Sequence, residues 1–127
     1  AWTNNISMQV QETEDEFIQL TKNKQIKGVN ILGGEPMQQI MDDTLLNLLK
    51  RIKLETDKPI WLWSGYTFEE IVNNPKRLEI LREVDVLIDG KFQADKRDIM
   101  LKYRGSSNQR VIDVKKSLEQ GNIVEIL

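Results

Sequence analysis

The sequence predicts an α/β domain built on a parallel sheet with covering helices. Two observations predict it. Helical and strand-like segments alternate along the chain, as they must where each strand of a parallel sheet is followed by a crossover helix. The apolar runs between the helical segments are short and nearly continuous, Ile60-Trp61-Leu62-Trp63 above all, which suits strands covered on their faces.

The elements follow in order. Ile6, Met8 and Val10 alternate and allow an opening strand, although an α/β domain whose first strand is absent reads equally well. Thr13 and Glu16 have capping-box spacing, and Phe17 with Leu20 gives an apolar face, so a helix is expected to about Lys24. Gly28–Leu32 reads as a strand ending at Gly33-Gly34. Leu45, Leu48, Leu49 and Ile52 share one face of a helix from about Asp43 to Thr56. Pro59 breaks it, and the Ile60–Trp63 strand stops at Ser64-Gly65. Trp61 and Trp63 are expected to pack as core.

Thr67 and Glu70 repeat the capping-box signature. Asn74 can then cap a second helix with Pro75 at its first position, running to about Arg82. Glu79, Arg82 and Glu83 read as a solvated face. Val84–Ile88 is a third apolar run closed by Asp89-Gly90. After a polar loop, Arg110–Val114 is expected as a strand, Ser117 and Leu118 as a single helical turn, and Asn122–Leu127 as a last strand.

At 127 residues the chain fits a single domain, residues 1–127, and its 39% hydrophobic residues are enough for a core. Net charge is −2 and the pI is near 5.3, with Lys and Arg scattered. That argues against nucleic acid or an anionic membrane as a non-specific partner. No apolar run approaches the roughly 20 residues that span a bilayer, and Ala1–Gln9 lacks a signal-peptide pattern. The cytoplasm is the expected compartment. The chain has no cysteine, which excludes thiolate metal sites among its own residues, and no histidine, which excludes the commonest general base. Ser–His–Asp and Cys–His chemistry is therefore ruled out within it. Glu35, Asp42 and Asp43 could take a hard cation, but such a trio in a loop also reads as solvated charge, and no metal site is expected.

Ligands of parallel α/β folds gather at the carboxyl ends of strands. Three motifs fall there: Gly33-Gly34-Glu35-Pro36, Ser64-Gly65-Tyr66 and Asp89-Gly90-Lys91. Glycines admit a ligand close to the backbone, Glu35 offers a carboxylate to an ammonium group, and Pro36 stiffens the exit. Each motif alone also reads as an ordinary turn. Their shared placement is the stronger signal.

Asn30-Ile31-Leu32-Gly33-Gly34-Glu35-Pro36 resembles the glycine-glycine-glutamate-proline motif of radical S-adenosylmethionine (SAM) enzymes. Ile60–Thr67, Val84–Phe92 and Arg104–Val114 are similar, in this order and spacing, to the activating proteins of anaerobic ribonucleoside-triphosphate reductase. The resemblance runs from Trp2 to about Val114. It implies a partial (β/α) barrel of the radical SAM type, N-terminally incomplete. Members carry a first strand and a Cys-x3-Cys-x2-Cys loop holding a [4Fe–4S] cluster, and Ala1-Trp2 resembles the stretch just after that loop.

The resemblance implies an oxidoreductase that cleaves SAM reductively and places a glycyl radical on its reductase. The chain as it stands is expected to be silent, with no catalytic residue of its own. Gly33, Gly34 and Pro36 would line the methionine end of SAM, with Glu35 accepting from its ammonium group. Such a charge-assisted bond is worth roughly 1.5–3 kcal/mol. Ser64 and Tyr66 would face the ribose, and Asp89 and Lys91 would close the site. Arg104, Ser106, Ser107 and Asn108 would form a partner-docking or site-closing loop, with a capped polar turn as the plainer alternative. The implied partners are the glycyl-radical subunit of the reductase and a reduced flavodoxin-type electron donor. A non-catalytic reductase- or nucleotide-binding module derived from the same family is the second reading.

Overall fold

The computed structural model describes residues 5–7, 14–32, 35–37 and 43–126, with side chains from residue 14 onward. Five strands form one sheet in the order β1 (Asn5–Ser7), β2 (Gly28–Ile31), β3 (Ile60–Ser64), β4 (Val86–Asp89), β5 (Arg110–Asp113). The first four are parallel and β5 runs antiparallel to β4. The α/β reading is therefore correct, and a strand does precede the first helix. The fully parallel sheet needs one correction, because β5 returns beside β4 through a loop instead of a crossover helix, and a loop return makes the pair antiparallel.

Between the strands lie α1 (Glu14–Thr21), α2 (Thr44–Glu55), α3 (Phe68–Val72) and α4 (Pro75–Leu81), with α5 (Val114–Gln120) after β5. The expected caps are present where they are described. Thr67 and Glu70 form a reciprocal capping box at α3, and the Asn74 side chain accepts from the Lys76 and Arg77 amides with Pro75 at the first position of α4. Thr13 lies outside the described residues. Asp43 precedes α2 without a side-chain cap bond.

The C-terminal region departs from expectation. A seven-residue helix, capped by Asp113 and ended by left-handed Gly121, replaces the single turn at Ser117 and Leu118. The last strand shrinks to one bridge, Ile112 with Glu125. The Asp113 side chain accepts from the Lys116 amide, which commits the chain to helix immediately after β5.

Consecutive parallel strands joined by right-handed crossovers place their helices on one face of the sheet. The main core lies there, with Phe17, Leu49, Ile52, Ile71 and Leu81 packed on Val29, Ile60, Leu62, Leu87 and Ile112. The other face carries Val86, Ile88 and Val111 with Trp61, Trp63 and Tyr103 against them. The two tryptophans are thus half-buried rather than central, because alternation along β3 gives the helix side to Ile60, Leu62 and Ser64. Tyr103 meets Trp61 edge-on at 4.9 Å, and Trp63 Nε1 donates to its carbonyl at 2.8 Å.

Two polar devices set the frame. Arg51 ties α2 to α1 through Asp15 at 2.6 Å and Glu14 at 3.3 Å. Asp85 accepts from the Ile60 amide at 2.8 Å and pairs with Lys53, fixing the entry of β3 beside β4.

Candidate functional site

Register brings the strand ends together. Ser64 at the end of β3 lies beside Asp89 at the end of β4, and Asp89 lies beside Arg110 at the start of antiparallel β5. Glu35, from the loop after β2, reaches the same edge. Its Oε1 accepts from the Gly65 amide at 2.5 Å, and its Oε2 accepts from Ser64 Oγ at 2.8 Å and the Met37 amide at 3.0 Å. A carboxylate has about four lone-pair sites. Three are taken by the protein, so Glu35 first of all binds its own loop to the tip of β3.

Glu35, Gly65, Tyr66 and Lys91 line a cleft of about 350 Å³. Gly65 forms its narrow floor. A Cβ there would stand 3.1 Å from Glu35 Oε1 and 3.3 Å from Lys91 Cγ, so the acid and the lysine stem flank the same glycine. Ser64 is buried beneath this floor, donating to Glu35 and accepting from the Tyr66 amide at 3.1 Å. Tyr66 carries the Arg77 guanidinium over its ring at 4.0 Å, and Arg77 Nε donates to the Met37 carbonyl at 2.9 Å. That cation–π contact anchors α4 to both site loops. Pro36 is half-buried beside Glu35. Gly33 and Gly34 lie outside the described residues.

A second cleft, of about 640 Å³, shares Gly65 and Lys91 with the first and is also lined by Glu69, Asp89, Asn108 and Arg110. Asp89 is 1% exposed and is not a solvent-facing partner of Lys91. Its Oδ2 accepts from the Phe68 amide at 2.7 Å and from Arg110 Nη2 at 2.6 Å, while Oδ1 accepts from Arg110 Nε at 3.1 Å. Arg110 also reaches Glu69 at 2.6 Å. Asp89 and then Glu69 raise the Arg110 guanidinium above its ordinary value, and the Arg110 hydrogen bond holds Glu69 below the usual carboxylate range. Glu70 is lowered by the Thr67 amide that it accepts from in the capping box.

Arg110 and Glu69 are the site residues that sequence reasoning missed. Their signal was the Asp89–Arg110 register pair, visible only once β5 is known to run antiparallel.

Arg104, Ser106, Ser107 and Asn108 form the base of the loop between β4 and β5. Arg104 Nη1 donates to the Gln109 carbonyl, Asn108 Nδ2 to the Lys91 carbonyl, and the Ser107 amide to the Lys96 carbonyl, at 2.8–2.9 Å. Ser106 is fully buried and its Oγ accepts from the Gln93 amide at 3.2 Å. Of the four, Asn108 lines the larger cleft. Among the described residues, no three His, Cys, Asp or Glu side chains group as metal ligands. No helix among them is long and apolar enough to cross a membrane.

Together the strand ends offer an acid, a lysine and a glycine floor to a small ligand bearing both charges. The chain is 43% identical over 102 residues to the anaerobic ribonucleoside-triphosphate reductase-activating protein of Vibrio cholerae, covering 78% of this chain and 64% of that one. It is 41% identical over 102 residues to the protein of that name from Pasteurella multocida, covering 78% and 65%. The same-named Escherichia coli K12 protein is 38% identical over 101 residues, covering 77% and 64%. The matched region thus spans a little under two thirds of these relatives' length. No solved structure matches the chain. Residues 1–112 match the family described as a 4Fe-4S single cluster domain, and the chain belongs to that family.

Proposed function

We propose that this chain is the SAM-binding sheet of a protein that activates anaerobic ribonucleoside-triphosphate reductase, and that the sheet is an arc of a radical SAM-type (β/α) barrel. The relatives bear that name. The sequential order of four parallel strands, with helices on one face, supports the arc.

The observation that carries the reading is the smaller cleft, where Glu35 and Lys91 flank the Gly65 floor at the tip of β3. The amino-acid end of SAM is a zwitterion. Its ammonium group matches the remaining lone pair of Glu35, and its carboxylate matches Lys91. Gly33 and Gly34 belong to the methionine side of this reading, next to Pro36. Tyr66 belongs to the ribose side, with Ser64 supporting it from below. Asp89, clamped by Arg110 and the Phe68 amide, fixes the turn that presents Lys91.

The family's iron–sulfur cluster does not fit the residues of this chain. Such clusters take cysteine thiolates, and the sequence has none. For residues 1–127 alone, that favours a binding role toward SAM or the reductase and no radical chemistry. Anaerobic reconstitution with iron and sulfide is expected to give no [4Fe–4S]⁺ EPR signal. A flavodoxin-type donor and a cytoplasmic setting belong to the same reading.

Isothermal titration of the purified chain with SAM tests the site. The expected result is saturable binding, with a Kd on the order of 1 mM or tighter, that weakens in Lys91→Ala. Absence of saturable binding, or unchanged binding by Lys91→Ala, would contradict the assignment.

A further inference from the structure

We propose that the loop between β4 and β5, residues 90–109, is the docking surface for the glycine-bearing chain of the reductase, with Ile99 and Met100 as its apolar anchors. This rests on the function proposed above and adds to it where the partner sits. Ile99 and Met100 are each 83% exposed and adjacent in the chain. Phe92, 54% exposed, lies in the same loop. A single exposed apolar side chain is ordinary, but neighbouring large ones in one fixed loop are characteristic of interaction sites.

The loop is not exposed because it is loose. Arg97 and Ser106 form an antiparallel bridge, and the Ser107 amide donates to the Lys96 carbonyl at 2.9 Å. Gln109 Oε1 accepts from the Gly105 and Ser106 amides, and its Nε2 donates to the Gly90 carbonyl at 2.9 Å. Beyond that base, the Met100 amide is held by Asp98 Oδ1 at 2.9 Å. The apolar pair therefore sits on a preorganised tip, which lowers the entropy cost of binding.

Charge and position select the partner. The loop carries Lys91, Lys96, Arg97, Lys102 and Arg104 against Asp95 and Asp98, a net +3 in a chain of net −2. A basic collar around an apolar tip complements an apolar pocket fringed by Asp and Glu, and it would steer such a partner by long-range attraction. The root of the loop forms a wall of the larger cleft through Lys91, Gln93 and Asn108. A protein seated on the tip would thus extend onto the edge where the candidate site opens. In a glycyl-radical system the chain that must approach that edge is the one carrying the target glycine.

Biolayer interferometry of the whole chain against purified reductase from the same organism tests this. Two double variants are compared with the parent: Ile99→Ser with Met100→Ser, and Lys96→Glu with Lys102→Glu. All four side chains are exposed, so thermal melts should match the parent. The apolar pair is expected to weaken binding roughly ten-fold or more, chiefly through faster dissociation. The charge pair is expected to slow association and flatten its salt dependence. If the parent binds and both variants bind within two-fold of it, roughly the limit of a neutral contact, the docking surface lies elsewhere while the reductase remains the partner. If the parent shows no binding, the reductase reading itself fails, and this assignment fails with it.

Discussion

At the scale of single residues, the site is held by two carboxylates with different tasks. Glu35 binds the loop after β2 to Ser64 and Gly65, whereas Asp89 is buried and depends on Arg110. Replacing Arg110 with Met would leave Asp89 with the Phe68 amide alone. Loss of one partner from a buried pair costs roughly 3 kcal/mol, and replacing both recovers part of it. Urea denaturation should therefore show Arg110→Met destabilised by about that amount and the Asp89→Asn, Arg110→Met double variant less so. A double-variant loss equal to the sum of the Asp89→Asn and Arg110→Met losses would mean that the pair carries no coupling. Gly65→Ala acts differently, because its methyl would meet side-chain atoms, Glu35 Oε1 and the Lys91 stem, rather than backbone. Stability should stay within about 1 kcal/mol, while SAM affinity falls as Glu35 and Lys91 are pushed apart. That Ser64 and Asp89 stand at strand ends was legible in the sequence because each closes an apolar run, with Glu35 and Lys91 placed in or just after the turns that follow β2 and β4. The Arg110 clamp was not, since a charged residue opening a strand says nothing of its neighbour until the register is known.

At the scale of elements, local rules read well and direction read poorly. The Thr67 and Asn74 caps were visible because a cap is decided by residues within one turn of it. Thr67→Ala removes the bond accepted from the Glu70 amide and should cost about 1 kcal/mol in chemical denaturation. β5 was found as a strand but not as an antiparallel one, because direction depends on how the intervening loop folds. Trp61 and Trp63 looked central for a similar reason: a continuous apolar run hides which alternate face the helices take. Acid should weaken the α3 end of the site. Glu69 and Glu70 are both held below their ordinary 4.5, so they bind fewer protons folded than unfolded near that pH. Their contribution is complete above 4.5 and is lost as pH falls through the lowered values. Both are largely exposed, so the contribution is small. Removing it with Glu69→Gln should flatten the acid limb of a melting-temperature profile, and an unchanged limb would contradict the Arg110 linkage.

At the scale of the molecule, one face of the sheet carries the main core, and the carboxyl ends of β2, β3 and β4 carry the candidate site. Leu49 is fully buried between α2 and the sheet, and Leu49→Ala should cost roughly 2–5 kcal/mol. The α/β class was legible because alternation of apolar runs with amphipathic helices has few other solutions. How far the sheet curves was not, since curvature comes from packing between layers and leaves no periodic mark in the sequence. The central claim is that the ends of β2, β3 and β4 form one SAM site. Amide ¹H–¹⁵N NMR mapping during a SAM titration tests it most directly. The account predicts saturable shifts concentrated at Glu35, Gly65, Tyr66, Gly90 and Lys91, with α1 and α5 unmoved. Shifts centred elsewhere, or none at saturating SAM, would contradict it.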